Sequence, residues 1–119
     1  MTSKRFFFSV KVGTPSDEEL EGLSQRIPED WKKLGRRLTI EEPRLIAFDR
    51  EHHQCCEKGY SMLLFWKQRD GGFDACYQVL YDALCHELVQ LKELGEEFCC
   101  EWKFGKMFGQ FPFLSLMVL

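Results

Sequence analysis

Between Ser16 and Cys100 the apolar residues recur every three or four positions, in blocks divided by connections of only a few residues. Side chains three and four apart share one face of an α-helix, so each block reads as an amphipathic helix with one buried stripe. Connections this short turn consecutive helices back against each other, and a helical bundle is the architecture that results.

Local signals place the helices. Ser16 precedes Asp17, Glu18 and Glu19, where a hydroxyl can cap free N–H groups and the acids suit the positive end of the helix dipole. Leu20, Leu23 and Ile27 then share a face. Pro28 ends this helix and opens a second, with Trp31, Leu34, Gly35 and Leu38 inward and Lys32, Lys33, Arg36 and Arg37 outward. Thr39 is expected to cap a third helix that carries Pro43 in its first turn and buries Leu45, Ile46 and Phe48. After a loop at residues 52–55, a fourth helix over 56–69 turns Tyr60, Leu63, Leu64 and Trp66 inward, and Asp70-Gly71-Gly72 is a turn. Cys76, Val79, Leu80, Ala83 and Leu84 mark a fifth helix; Leu88, Leu91, Leu94 and Phe98 mark a sixth. The expected core is Leu20, Leu23, Trp31, Leu34, Leu38, Leu45, Leu63, Leu64, Trp66, Leu80, Leu84 and Leu94. Each tryptophan there contributes roughly 1.5–3 kcal/mol or more by burial.

The flanks differ from this middle zone. Residues 1–14 hold the aromatic and β-branched run Phe6 to Val12, stopped by Gly13, Thr14 and Pro15, and read as a strand-like arm or the end of a preceding domain. A lone strand is not stable. Residues 101–119 form an apolar tail with no clean helical period, and its last nine residues carry no charge. Exposed, such a tail invites aggregation. Residues 15–100 are the candidate domain.

Composition narrows the function classes. At 45% hydrophobic and 29% charged, the chain is of globular rather than disordered type. No apolar run reaches the roughly 18–20 residues of a membrane span. Of the net charge of −3, residues 1–14 contribute +3 and residues 101–119 contribute +1, so residues 15–100 carry −7. That balance does not suggest nucleic acid, whose phosphates need a basic face. The six cysteines include two adjacent pairs and follow no evident signal peptide, which points to free thiols in the cytoplasm.

Chemical motifs are few. His52, His53, Cys55 and Cys56 cluster, with Cys85-His86 and Cys99-Cys100 downstream, but adjacent cysteines suit tetrahedral zinc poorly. Cys85 and His86 are sequence neighbours whose side chains diverge on a helix, a poor nucleophile–base pair. Gly71-Gly72 lacks the Lys-Ser/Thr of a phosphate-binding loop. Neither catalysis, a cofactor nor a metal is expected.

Two stretches carry a resemblance. Asp30-Trp31-Lys32-Lys33-Leu34-Gly35-Arg36-Arg37-Leu38 and Tyr60-Ser61-Met62-Leu63-Leu64-Phe65-Trp66-Lys67-Gln68-Arg69-Asp70-Gly71-Gly72 are similar, in residues and in spacing, to the second helix and the fourth-helix segment of death domains. Ala75, Leu80, Leu84 and the Leu91–Leu94 turn fit the family's closing helices. The resemblance covers about residues 15–100 and implies an all-α fold, a Greek-key bundle of six antiparallel helices. It also implies homotypic association with another death domain, or with a second copy, in apoptotic or inflammatory signalling. The strand-like arm would suit a death domain that follows a ZU5/UPA-type region. The alternative is a structural, autoinhibitory domain packed on such an upstream region. For the family, a basic patch of one copy meets an acidic patch of the next. Here that implies Lys33, Arg36 and Arg37 against Glu18, Glu21 and Glu57. A second contact would use the turn at Arg69-Asp70 or the corner at His86-Glu87. Beyond Cys100 the chain departs from the family pattern.

Overall fold

The structure, a computed structural model, describes residues 6–69 and 75–104, with the side chains of 6–8 and 102–104 left aside. Among them are β1 (Phe6–Val10), α1 (Asp17–Arg26), α2 (Trp31–Arg37), α3 (Glu42–Glu51), α4 (Cys55–Gln68), α5 (Tyr77–Cys85), α6 (Lys92–Cys99) and β2 (Cys100–Phe104). The Asp70-Gly71-Gly72 turn and residues 105–119 lie outside the described residues.

Ser16 caps α1 as expected: its Oγ accepts from the Glu19 amide at 3.1 Å, and its own amide donates to Glu19 Oε1 at 3.0 Å. The α2–α3 corner differs. Thr39 has φ +64°, a left-handed conformation that ends α2, and its hydroxyl donates to the Leu38 carbonyl. Glu41, not Thr39, therefore precedes α3, with Pro43 in its first turn.

α1 packs along α4 and also touches α6. α2 and α3 both lie on α4, α5 packs on α6, and α2 reaches α5. The first helix thus skips its sequence neighbours to pair with the fourth, the crossed order of a Greek-key bundle of six antiparallel helices. Glycine permits the closest approaches: a Cβ on Gly59 would stand 3.3 Å from Trp31 Cβ, and one on Gly35 would stand 2.7 Å from Leu45 Cδ2.

Trp31 and Trp66 lie in the core at 4% and 1% exposure. Trp66 Nε1 has no hydrogen-bond partner among the described residues, so this ring stabilises by packing alone. Eleven of the twelve expected core residues are buried. Leu64 is the correction: the buried stripe of α4 is Gly59, Met62, Leu63 and Trp66, which leaves Leu64 half-buried at its margin. Ile46 (41% exposed) and Val79 (36%) likewise sit one helical step, about 100°, off their stripes. Leu88 is 61% exposed because α6 begins only at Lys92, and Val89 takes the inward place before the left-handed Gln90.

The arm is not a lone strand. β1 pairs antiparallel with β2, in a register that runs from Phe6↔Phe104 to Val10↔Cys100. The Lys11 amide extends the ladder to the Cys99 carbonyl at 2.8 Å. The Glu19 carboxylate then gathers Lys11 Nζ (3.0 Å), the Ser16 amide and the Tyr77 hydroxyl, so arm, α1 and α5 meet at one group. Burial pushes Glu19 up, but its hydrogen bonds from Tyr77, Ser16 and Lys11 outweigh this and hold it below its usual range. Burial and then the Glu19 contact push the Tyr77 hydroxyl up to about 12.

Candidate interaction surface

The acidic residues come from α1 and the first turn of α4. Glu18 and Glu21 are three apart, hence neighbours on one helix face, and both are exposed. Glu21 and Glu57 line one cleft of about 360 Å³ between α1 and α4, with Gln25, His52, Gln54 and Tyr60 on its walls. Ser24 is buried at this seam and donates to the Glu21 carbonyl at 2.6 Å. Three other acids of α1 and α6 are paired: Asp17 with Lys67 at 2.7 Å, Glu19 with Lys11, and Glu97 with Arg26 at 3.0 Å. Among the described residues Glu18 and Glu21 have no ion-pair partner, and Glu57 has only His52 Nδ1, at 3.7 Å.

The basic stripe of α2 is less uniform than its sequence suggests. Arg36 forms a forked pair with Glu42, Nε to Oε1 at 3.1 Å and Nη2 to Oε2 at 3.3 Å. This pair raises the guanidinium and holds the Glu42 carboxyl below its ordinary range. Lys32 reaches Asp49 at 2.9 Å, and Lys58 of α4 holds the same carboxylate at 2.7 Å. Hydrogen bonds from Lys32 and then Lys58 lower Asp49 to about 2. Lys33 stands 3.9 Å from Asp30, a loose surface pair. Arg37 faces His86, Nη1 to Nε2 at 3.5 Å. Glu42 and Asp49 were missed by the sequence reading, because only the packing of α3 beside α2 brings them to the stripe.

Arg69 holds the fold. Its guanidinium donates to the Leu38 and Thr39 carbonyls and to Thr39 Oγ1, all at 3.0 Å, and so closes the exposed end of α2. Its companion Asp70 lies outside the described residues. Arg44, which the sequence reading did not single out, covers the Phe65 ring at 4.9 Å, and Phe65 meets Phe48 edge to face.

His52 bridges α3 and α4. Its Nε2 lies 2.9 Å from Ser61 Oγ, while Nδ1 is 3.7 Å from Glu57. The order Ser–His–Glu has the outline of a nucleophile and its base. Yet the carboxylate is beyond hydrogen-bond reach. Ser61 also sits mid-helix, where its amide belongs to the α4 ladder and supplies no oxyanion donor. The pair reads as a brace for the α3–α4 connection. Among the described residues no three His, Cys, Asp or Glu side chains are placed to hold a metal ion. The six thiols are unpaired, and burial pushes Cys99 up to about 12, which leaves it inert.

No described helix is long and apolar enough to cross a membrane. No curated protein and no solved structure matches the chain. The sequence model of the death domain matches residues 17–91, well over half of the chain and the span from α1 to the start of α6. With six helices in Greek-key order, the chain belongs to the death-domain family, whose members are non-catalytic modules for protein–protein interaction.

Proposed function

We propose that this chain works by homotypic association, with another death domain or with itself, in signalling complexes of the apoptotic or inflammatory type. It carries out no catalysis, acts in the cytoplasm and does not bind nucleic acid. Assembly raises the local concentration of whatever the parent chain carries. One observation supports the reading above others: exposed Glu18, Glu21 and Glu57 lie on α1 and α4, whereas Lys33, Arg36 and Arg37 lie on α2 of the same rigid bundle. Surfaces of opposite sign on different helices let one molecule dock on the next in a fixed register. Each exposed pair contributes about 0–1 kcal/mol, so several must act together.

Light scattering across salt concentration tests this on wild type and on the Arg36→Glu/Arg37→Glu double variant. The expected result is association of the wild type at low salt, loss of it above a few hundred millimolar salt as screening shortens, and a monomeric, fully helical variant. Equal association of both proteins at every salt concentration would sink the charged-surface mechanism and implicate the apolar tail.

A further inference from the structure

The β1–β2 ribbon ends in an open edge. The Lys11 amide donates to the Cys99 carbonyl at 2.8 Å, so these two residues, opposite in the register, are a hydrogen-bonded pair. Such pairs alternate along an antiparallel ladder. Ser9↔Glu101 and Phe7↔Lys103 therefore bond to each other, while the amides and carbonyls of Trp102 and Phe104 point away from β1. Among the described residues the sheet has only two strands, and no backbone group takes these up. The two edges of the ribbon are not equivalent. β1 lies against both α5 and α6, whereas β2 leans mainly on α6, out of which it runs directly. β2 is thus the outer strand, and its edge is a template for a further strand.

Its sequence indicates which strand fits. Cys100-Glu101-Trp102-Lys103-Phe104 has opposite charges placed symmetrically about Trp102. On a second β2 laid antiparallel, with the two Trp102 residues opposite, Glu101 of each strand falls opposite Lys103 of the other. Opposite charges across a strand pair stabilise it, and like charges oppose it. The outer edge of β1 lacks this match: centred on Phe8, the same pairing sets Arg5 opposite Lys11. Antiparallel order also parts the two bundles, since each β2 leaves its own α6 at the end where the other strand finishes.

We infer that the β2 edge is a separate interaction surface, whose partner is the β2 edge of a second copy of this chain, paired about a two-fold axis at Trp102. The Trp102 amides and carbonyls exchange bonds, and each Phe104 amide donates to the opposite Cys100 carbonyl. The two ribbons become one continuous antiparallel sheet. The same surface serves both copies, so the contact closes at a dimer. It uses none of the charged helix surfaces. A few backbone hydrogen bonds do little more than offset the freedom lost on association, so the dissociation constant is expected on the order of 100 µM or weaker. Copies already gathered through their helices meet at such local concentrations, and there the ribbons pair.

The test uses the full chain carrying Arg36→Glu/Arg37→Glu, which removes the association through α2, at low salt with circular dichroism as the folding control. At about 10 µM this protein should be monomeric, and sedimentation at roughly 500 µM should show a dimer and nothing larger. Glu101→Lys and Lys103→Glu are each expected to weaken the dimer by about tenfold, because each sets like charges opposite one another. Mixed together, the two variants should pair as well as their parent, since one strand then carries only positive charge and the other only negative. Amide exchange at the higher concentration should slow at Trp102 and Phe104 and stay unchanged at Phe8, which faces out on the β1 edge. Slowing at Phe8 instead, or a dimer indifferent to both charge substitutions, would overturn the β2 register. A protein that stays monomeric at the higher concentration overturns the second copy as occupant. The association through the helices is read separately, from the salt dependence of the chain without these substitutions.

Discussion

Gly22 and Gly35 both lie inside helices, yet alanine at the two positions is expected to act with opposite sign. A methyl on Gly35 would stand 2.7 Å from Leu45 Cδ2 and 3.3 Å from Met62 Cγ. Both neighbours are fully buried, so neither can withdraw without disturbing the core. Overpacking of this kind costs about 1–3 kcal/mol, more than the gain of up to about 1 kcal/mol from alanine's helix propensity. At Gly22 the nearest atom is Phe98 Cε1 at 3.4 Å, an ordinary contact on a half-buried face. There the propensity gain is unopposed. Urea unfolding should show Gly35→Ala less stable than wild type by about 1 kcal/mol or more, and Gly22→Ala more stable by roughly 0.5–1 kcal/mol. That Gly35 faces inward in the second helix was legible from the spacing of its neighbours. Its reason, the closeness of α3 and α4, was not.

Among the elements, α2 depends most on a distant residue. It ends at a β-branched Thr39 in the left-handed region, which costs of order 1 kcal/mol or more. What holds that end is Arg69, thirty positions on, with its three donor contacts. Arg69→Gln is expected to cost about 1–3 kcal/mol, as hydrogen bonds to a charged group do. Hydrogen exchange should then quicken first at the Thr39 and Ile40 amides, which bond back to Arg36 and Gly35. Unchanged exchange there would mean that α2 ends by itself. This dependence explains where the sequence was readable. The Ser16 cap and Pro43 in the first turn of α3 use partners within one turn, and both lie where the local signal puts them. The turn at Thr39 has its cause in α4 and leaves no local mark. Leu64, Ile46 and Val79 fail in a related way: periodicity identifies a helix, but packing decides its rotation by one residue. The basic stripe looked uniform for the same reason, since Glu42 and Asp49 lie six and seventeen positions from Arg36 and Lys32.

At the scale of the molecule, the family match at 17–91 leaves out both strands and the whole of α6. The alternation Cys100-Glu101-Trp102-Lys103-Phe104 is a strand signal, yet five residues in an otherwise aperiodic apolar tail did not distinguish it. The ribbon is nevertheless built into the bundle. Val10 packs on the core, Cys99 and Cys100 are buried, and Lys11 reaches Glu19. Deleting residues 1–12 would remove Val10, the Lys11 contacts and the partner of β2, while Leu20, Leu34, Trp66 and Leu84 keep theirs. The truncated chain should therefore still unfold in one cooperative step with its helical signal intact. Stability should fall by about 2 kcal/mol, on the scale of burying one aliphatic side chain. It should also aggregate more readily, since β2 is left with two open edges. Thermal unfolding by circular dichroism reads the first effect and light scattering the second. An unchanged midpoint would show that the ribbon only leans on the bundle, and that the helices carry the whole of its stability.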